Sequence, residues 1–532
     1  MGKKKKKVND DSFWAKSWEC ESIPDDSREE DDNFGWGYNS APDDLDSSGE
    51  CSSDYDAQVT DANKQHHEEV LGDDVPEIEL SQTATENNDQ DSDCQTDEKP
   101  RKTRPSPDKM AEILALEYEI VLIDDNPYLY DEINHIYRPL DDNSDYTLMR
   151  LITPKKYRPV INNKTAPEIN SWLRVCEYVH IADPLKQLER EKSIVKFTNT
   201  AINVDSLKSV QIGRSSYIRR YINSDYPLNY EPSGGYFDHY LKTAFGDDIE
   251  AICLFQEVLG YILGDYRGIK KSFIFYGPSN TGKSVAGNFI KEIVGKEFYS
   301  SLTLNDLSKQ FGPCHLYGKY LNIGSEIDTS SRASGSLFKR LVGNDEIFAD
   351  VKNSRSGLEF SNSAAMVFLA NTFPRFSLGE NASSIAERLV IVPFLNRIER
   401  SDWIPNLESK ICEESAYVVK FGMLGLQRLK KNNYIFSRCQ KSEHIMKEYL
   451  IQSFPEIQFI KLYLKADPDG KVATKELDDR YKAFCYNYDV PRASQIRWKD
   501  YLSEEFCIRN ARGICYKNNN DARGFAGVSF KK

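Results

Sequence analysis

The sequence predicts an α/β protein built on a parallel sheet with helical crossovers. Three observations carry that expectation. An apolar run, SFIFY (272–276), leads through GPSNTGKS into the helical pattern VAGNFIKEIVG. Three later apolar runs, YLNIGSEID (320–328), AMVFLANTF (365–373) and RLVIVPF (388–394), alternate with polar, helix-like segments. Strands separated by helices favour parallel pairing through crossovers. Finally, DIEAICLFQEVLGYIL (248–263) gives a long helix ending near Gly264, just ahead of the first strand.

The remaining segments follow in order. The chain has 532 residues, which as a prior means about three or four domains. Residues 1–100 hold 29 acidic and 9 basic side chains, a net of −20, whereas 101–532 hold 60 basic and 54 acidic, a net of +6. The leader, 1–105, begins MGKKKKKVND and has few apolar residues, so it is expected to be disordered. Its five lysines read as a solvated terminus, with a nuclear signal or nucleic-acid arm as the alternative. No h-region marks a signal peptide, and no run of about 18 apolar residues marks a membrane span. Eleven cysteines at irregular spacing, with no CxxC pair, fit a reducing cytosol.

From 106 the chain becomes regular. DKMAEILALEYEIVLI (108–123) reads as a helix running into a strand, and NPYLYDEINHIYRPL (126–140) as a hairpin. TAPEINSWLRVCEYV (165–179) has a Thr and a Pro placed to open a helix. IVKFTNTAINVDS (194–206) alternates like a strand pair. Residues 106–265 thus form a mostly helical region, 266–400 the sheet domain, 401–440 a helical segment, and 441–532 helices followed by a small β-element.

GPSNTGKS spans Gly277 to Ser284 and fits G-x-x-x-x-G-K-[ST]. Glycines let backbone N–H groups approach phosphates, Lys283 reaches the β- and γ-phosphates, and the Ser284 hydroxyl holds Mg²⁺. The helix that follows points its positive end at the anion. The four fixed positions match by chance in about 2% of chains this long, and a strand before the motif with a helix after it lowers that further. The expected binding set is Gly277, Asn280, Thr281, Gly282, Lys283 and Ser284, with ATP and Mg²⁺ as cofactors. Glu326, directly after the second strand, is the candidate to orient water or support Mg²⁺, with Asp328 weaker. Asn371, at the end of the third strand, is a candidate γ-phosphate sensor. Arg388, ahead of the fourth, could reach the nucleotide of an adjacent subunit.

Taken together, GPSNTGKS, GKYLNIGSEID, LFKRLVGNDEIFADVKNSRSGLEFSNSAAMVFLANTFPRF and AERLVIVPF resemble, in order, the superfamily 3 helicases. The resemblance is to the phage/plasmid primase–helicase group, including the poxvirus-type primase–helicase, and covers about 110–532. Asn280 is typical of that group. The resemblance implies an AAA+-like P-loop ATPase core with a winged-helix-like, DNA-binding C-terminal domain (LDDRYKAFCYNYDVPRASQIRW…ARGFAGVSF). It implies Glu326 as catalytic acid, Asn371 as sensor and Arg388 as the trans-acting finger. It also implies Lys339 and Lys352 as contacts to the DNA backbone in a central channel.

This chain departs from the pattern in places. Ser325-Glu326 stands where relatives have paired acids, and Arg388 stands alone where relatives often have two arginines. Residues 1–105 are too short and polar for a primase domain, so a helicase without its own primase is expected, with a separate primase as a possible partner. The expected partners are single-stranded or forked DNA and five further copies in a homo-hexamer, with no membrane. The expected location is the cytoplasm, near the nucleoid, of a bacterial host, or a viral host compartment. The alternative is an oligomeric P-loop ATPase that acts as an initiator or remodeller without unwinding. A small-molecule kinase is disfavoured by the long terminal modules.

Overall fold

The computed structural model describes residues 104–140, 146–162, 164–325, 332–343, 345–351, 358–373, 375–376, 382–492, 496–517 and 519–531. The leader to 103, Glu326, Asp328 and Lys352 lie outside the described residues.

The first part folds as its local patterns dictate. Helix Pro107–Glu117 runs into strand Ile120–Ile123, and the hairpin Asn126–Asp131/Ile136–Pro139 pairs beside it. Met110, Leu114, Ile120, Leu122, Ile169 and Leu173 close a small core beneath this sheet. Strand His180–Ile181 adds to its far edge, parallel to Ile120–Ile123. A second sheet, antiparallel throughout, joins Ile194–Lys196, Ala201–Asn203 and Ser209–Val210. The region expected to be mostly helical therefore carries two sheets among its helices.

The central layer follows. Helix α1 (Gly235–Phe245) and helix α2 (Ile249–Leu263) precede strand β1 (Ser272–Tyr276). Asp248 starts α2 by accepting the Ala251 N–H, a side-chain N-cap that satisfies an otherwise unpaired donor. After β1 come helix α3 (Lys283–Val294) and strands β2 (Tyr299–Ser300), β3 (Leu321–Ser325), β4 (Ala365–Ala370) and β5 (Leu389–Pro393). All pairs in this sheet are parallel, in the order β5-β1-β4-β3-β2. The protein is thus a mixed α/β fold with a parallel sheet.

Alternation along β1 divides the interior into two cores. Phe273 and Phe275 face one core with α2, α3 and helix α4 (Ser415–Lys431). Ile274 faces the other, with Phe338, Leu341, Met366, Phe368 and Tyr449. Both faces are covered, which is why these strands read as unbroken apolar runs rather than alternating ones. α2 and α4 lock together through a buried ion pair, Arg428 Nε to Glu257 Oε1 at 2.8 Å, with Glu257 also accepting from Ser437 N and Oγ. Carboxylate burial is costly unless its oxygens are filled, and here they are.

The last part runs helix Gln440–Ser453, helix Pro455–Tyr463, strand Leu464–Ala473, helices Thr474–Asn487 and Trp498–Glu505, then strands Arg509–Tyr516 and Asn519–Phe530. Its three strands form one antiparallel sheet with Asn519–Phe530 in the middle. One strand precedes the last two helices, where the sequence suggested that all β-structure followed them. No helix among the described residues is long and apolar enough to cross a membrane.

Candidate nucleotide site

The loop between β1 and α3 is shaped by two glycines and the segment that leaves β5. Gly277 follows β1 with φ +156° and donates its N–H to Ala370 O at 3.1 Å. A Cβ there would lie 1.8 Å from Phe394 O, so only glycine fits without movement. Phe394 is fixed in turn, its N–H donating to Tyr276 O at 2.7 Å. Asn280 takes the left-handed conformation at φ +62°, which asparagine tolerates, and its carbonyl accepts from Ile398 N at 2.9 Å. Gly282, at φ +89°, turns the chain into α3, with the Tyr240 ring of α1 packed against it.

Within this turn lies Lys283, only 7% exposed. Its Nζ donates to Gly277 O at 2.7 Å, Pro278 O at 2.5 Å and Thr281 Oγ1 at 3.3 Å. Burial lowers its pKa below that of an ordinary lysine. Thr281, also buried, donates to Pro278 O at 3.0 Å. Ser284 is exposed in the first turn of α3. The loop therefore wraps an ammonium group with its own carbonyls, beside the first N–H groups of a 12-residue helix. A cation, the Ser284 hydroxyl and the first turn of a helix, whose N-terminal end favours anions, thus lie within one short loop.

Neighbouring strand ends complete the site. Asn371 follows β4 and is exposed, with its Nδ2 donating to Ser279 Oγ at 3.4 Å. β3 ends at Ser325, in register with Leu369, at this same carboxyl end of the sheet. Glu326 itself lies outside the described residues. Among the described residues no cluster of three or more His, Cys, Asp or Glu side chains is arranged to hold a metal.

Arg388 lies at the other end. Its carbonyl accepts from Ser272 N at 2.7 Å and Oγ at 3.0 Å, where β1 begins. At ~3.3 Å per residue, five strand residues separate it from the loop by roughly 16 Å. Arg388 Nη1 donates to Ser384 O at 2.7 Å, while its Nε is buried without a hydrogen-bond partner. The structure thus brings Asn371 to the loop and keeps Arg388 of the same chain away from it. Lys339 lies half-buried on helix Gly335–Gly343. Strands Glu346–Ala349 and Leu358–Ser361, on either side of Lys352 in sequence, pair antiparallel.

Four residues shaping the loop escaped the sequence reading: Tyr240, Ser279, Phe394 and Ile398. Tyr240 lies 37 residues before Gly277 and looks like any apolar helix residue. A cavity of about 860 Å³ opens beside the loop, lined by His239, Thr243, Asn396, Ile398 and Asp402 among others.

A model of a family of unknown function (DUF5906) matches residues 275–388, from the end of β1 to Arg388. No curated protein matches. Among solved structures, the chain is similar to the A form apo structure of the NrS-1 C-terminal region, at 14% identity and a TM-score of 0.37, covering 80% of this chain and 100% of that one. It is similar also to an apo structure of that region, residues 305–718, at 13% identity and a TM-score of 0.38, covering 79% and 99%.

Proposed function

We propose that this chain is an ATP-hydrolysing motor of the superfamily 3 helicase type, acting on DNA during replication of a mobile element, phage or virus. The observation that carries the reading is the buried Lys283 ammonium, held in a loop whose two glycines take conformations or contacts closed to other residues. The loop also lies at the carboxyl end of β1, where the chain turns to opposite sides: α3 leads away to β2 at the far edge, and β5 pairs on the other flank. Ligands of open α/β sheets bind at such switch points.

In this reading, Lys283 and the N–H groups of Gly282–Ser284 hold the phosphates, with Asn280 and Thr281 shaping the turn. The Ser284 hydroxyl and Glu326 hold Mg²⁺, which supplies charge neutralisation at the phosphates. Asn371 orients the attacking water against the terminal phosphate. The cavity beside Ile398 receives the base and ribose. Arg388 is too far from its own loop, so it serves the loop of a neighbouring copy, which makes a ring, and a hexamer, the working form. Lys339 and Lys352 would follow the DNA backbone within it. The C-terminal order helix–strand–helix–helix–strand–strand supports the winged-helix reading of 441–532.

The test is ATP hydrolysis with and without single-stranded DNA, comparing wild type with Lys283→Ala. Stimulation by DNA that vanishes in the variant is the expected result. Hydrolysis that needs Lys283 but ignores DNA would move the reading to an initiator or remodelling ATPase. Hydrolysis untouched by the substitution would refute the site.

A further inference from the structure

We infer that the C-terminal module meets duplex DNA through the open face of its three-stranded sheet, and not through helix Trp498–Glu505. The inference rests on the DNA-directed reading above and names the surface that carries it. Lys471 and Arg509 are both cross-strand partners of Ala526, one on each side. Cross-strand partners project from the same face, so the two cations share Ala526's face. Its neighbour Phe525 points the other way and is buried in the module's core with Val472. Lys471 and Arg509 are both exposed, and two strand spacings put their backbones roughly 10 Å apart.

Charge continues along the same strands. Lys465, Arg512 and Arg523 are exposed as well, and the three strands carry five cations against three carboxylates; Lys517, in the turn between the last two strands, is paired with Asp479 at 2.5 Å. One of those carboxylates, Asp467, is occupied by the Asp469 and Gly470 N–H groups. The helix offers the opposite balance. Trp498–Glu505 holds one lysine against Asp500, Glu504 and Glu505. Asp500 is paired with Arg497 at 3.0 Å and Glu505 with Lys461 at 3.5 Å, so even the nearby cations are engaged. Its Trp498 and Leu502 are buried. A polyanion is repelled by this helix and attracted by the sheet.

The face also selects the form of nucleic acid. Single strands are held by aromatic side chains on which bases stack. Among the described residues, the exposed large aromatics of this module are Tyr463, Tyr486 and Tyr488, none of them on the sheet. Cations on a rigid surface without stacking platforms suit backbone phosphates, which position a duplex without reading its bases.

The experiment follows binding of a labelled blunt-ended DNA duplex to the full chain by fluorescence anisotropy across a salt series. Each phosphate contact contributes about 0.9 to the slope of log affinity against log salt, so Lys471→Gln/Arg509→Gln is expected to reduce the slope by about 1.8. Arg497→Gln/Lys499→Gln should leave it unchanged. Lys471→Arg/Arg509→Lys should keep the wild-type slope, which separates charge from folding. An unchanged slope in the first pair, or an equal loss in the helix pair, overturns the inference. So does displacement of the duplex by double-stranded RNA or polyglutamate as readily as by unlabelled DNA. ATP hydrolysis is read on the same samples. A slope change without any hydrolysis refutes the motor reading and leaves this surface standing; hydrolysis with an unchanged slope refutes the surface alone.

Discussion

Replacing Gly277 with alanine tests the loop where its geometry is tightest. Two terms add. The φ of +156° belongs to a region that side chains avoid, worth about 1–3 kcal/mol of backbone strain. The new methyl would also lie 1.8 Å from Phe394 O, and relieving an overlap of that kind costs about 1–3 kcal/mol. Their sum, roughly 2–6 kcal/mol, is a sizeable part of the ~5–15 kcal/mol that holds a domain together. The two cores on either side of the sheet are untouched, so the chain is expected to fold and to relieve the clash by moving the loop. A shift of about 1 Å in a positioning element costs ~100-fold in rate. Gly318→Ala is the matched control: φ is +69°, but nothing lies within 4 Å of its would-be Cβ, so it bears only the left-handed cost of about 1–2 kcal/mol. Thermal melting and ATP hydrolysis of the two variants are compared. The reasoning is refuted if Gly277→Ala melts with Gly318→Ala and hydrolyses ATP within about twofold of wild type, a window far inside the predicted ~100-fold loss.

Three further outcomes are expected. Asn371→Ala removes the amide that contacts Ser279, and should lower kcat by about 10²–10³, as loss of one positioned donor does, with KM for ATP nearly unchanged; a KM effect alone would mean that Asn371 only binds. Arg388→Ala and Lys283→Ala should each be inactive alone. Mixed in equal amounts, they should recover roughly a quarter of wild-type hydrolysis, because random assembly leaves that share of interfaces with one intact loop and one intact arginine; no recovery would refute a trans role. Burial pushes the Asp131 carboxyl up, but donors from Asn134, Arg138 and the Ile133 and Asn134 backbone outweigh it and hold the pKa at about 2, against 3.8 for the free group. A depressed carboxylate stabilises the fold above the unfolded pKa, and that share is lost as pH falls from about 4 towards 2. Asp131→Asn should therefore flatten the acid limb of the melting profile; an unchanged limb would refute this.

What the sequence disclosed was what local chemistry controls. The loop was legible because glycine, lysine and serine at fixed spacing have few other uses between a strand and a helix. Helix α2 was legible from the long, mostly apolar stretch DIEAICLFQEVLGYIL and the Gly264 that ends it. Strand ends at Ser325 and Asn371 were legible because apolar runs stopped there. The order β5-β1-β4-β3-β2 was not, since parallel pairing is set by packing between distant segments rather than by the segments themselves. Nor was the contact of Phe394 with Gly277, which brings together residues 117 positions apart. The strand Leu464–Ala473 was hidden for a local reason: KADPDGKVA contains Pro, Gly and two Asp, all poor strand formers. The chain accommodates them in an irregularity between Asp467 and Lys471 and still pairs with Asn519–Phe530 on both sides.

The placement of β5 joins the two ends of the proposed mechanism. Its carboxyl end delivers Phe394 against Gly277, and the segment beyond delivers Ile398 to Asn280. At its amino end, Arg388 is held by the backbone of Ser272 and by Ser384 O. Between them β5 pairs with β1 residue for residue, from Leu389–Ser272 to Pro393–Tyr276. A strand paired this way over both cores moves as a unit or not at all, because close-packed interiors transmit displacement rather than absorb it. Any change in the loop that presses on Phe394 is then felt at Arg388, which the proposed ring presents to the next copy. Communication around the ring would need no long pathway: one five-residue strand has the loop of its own chain at one end and the arginine for its neighbour at the other.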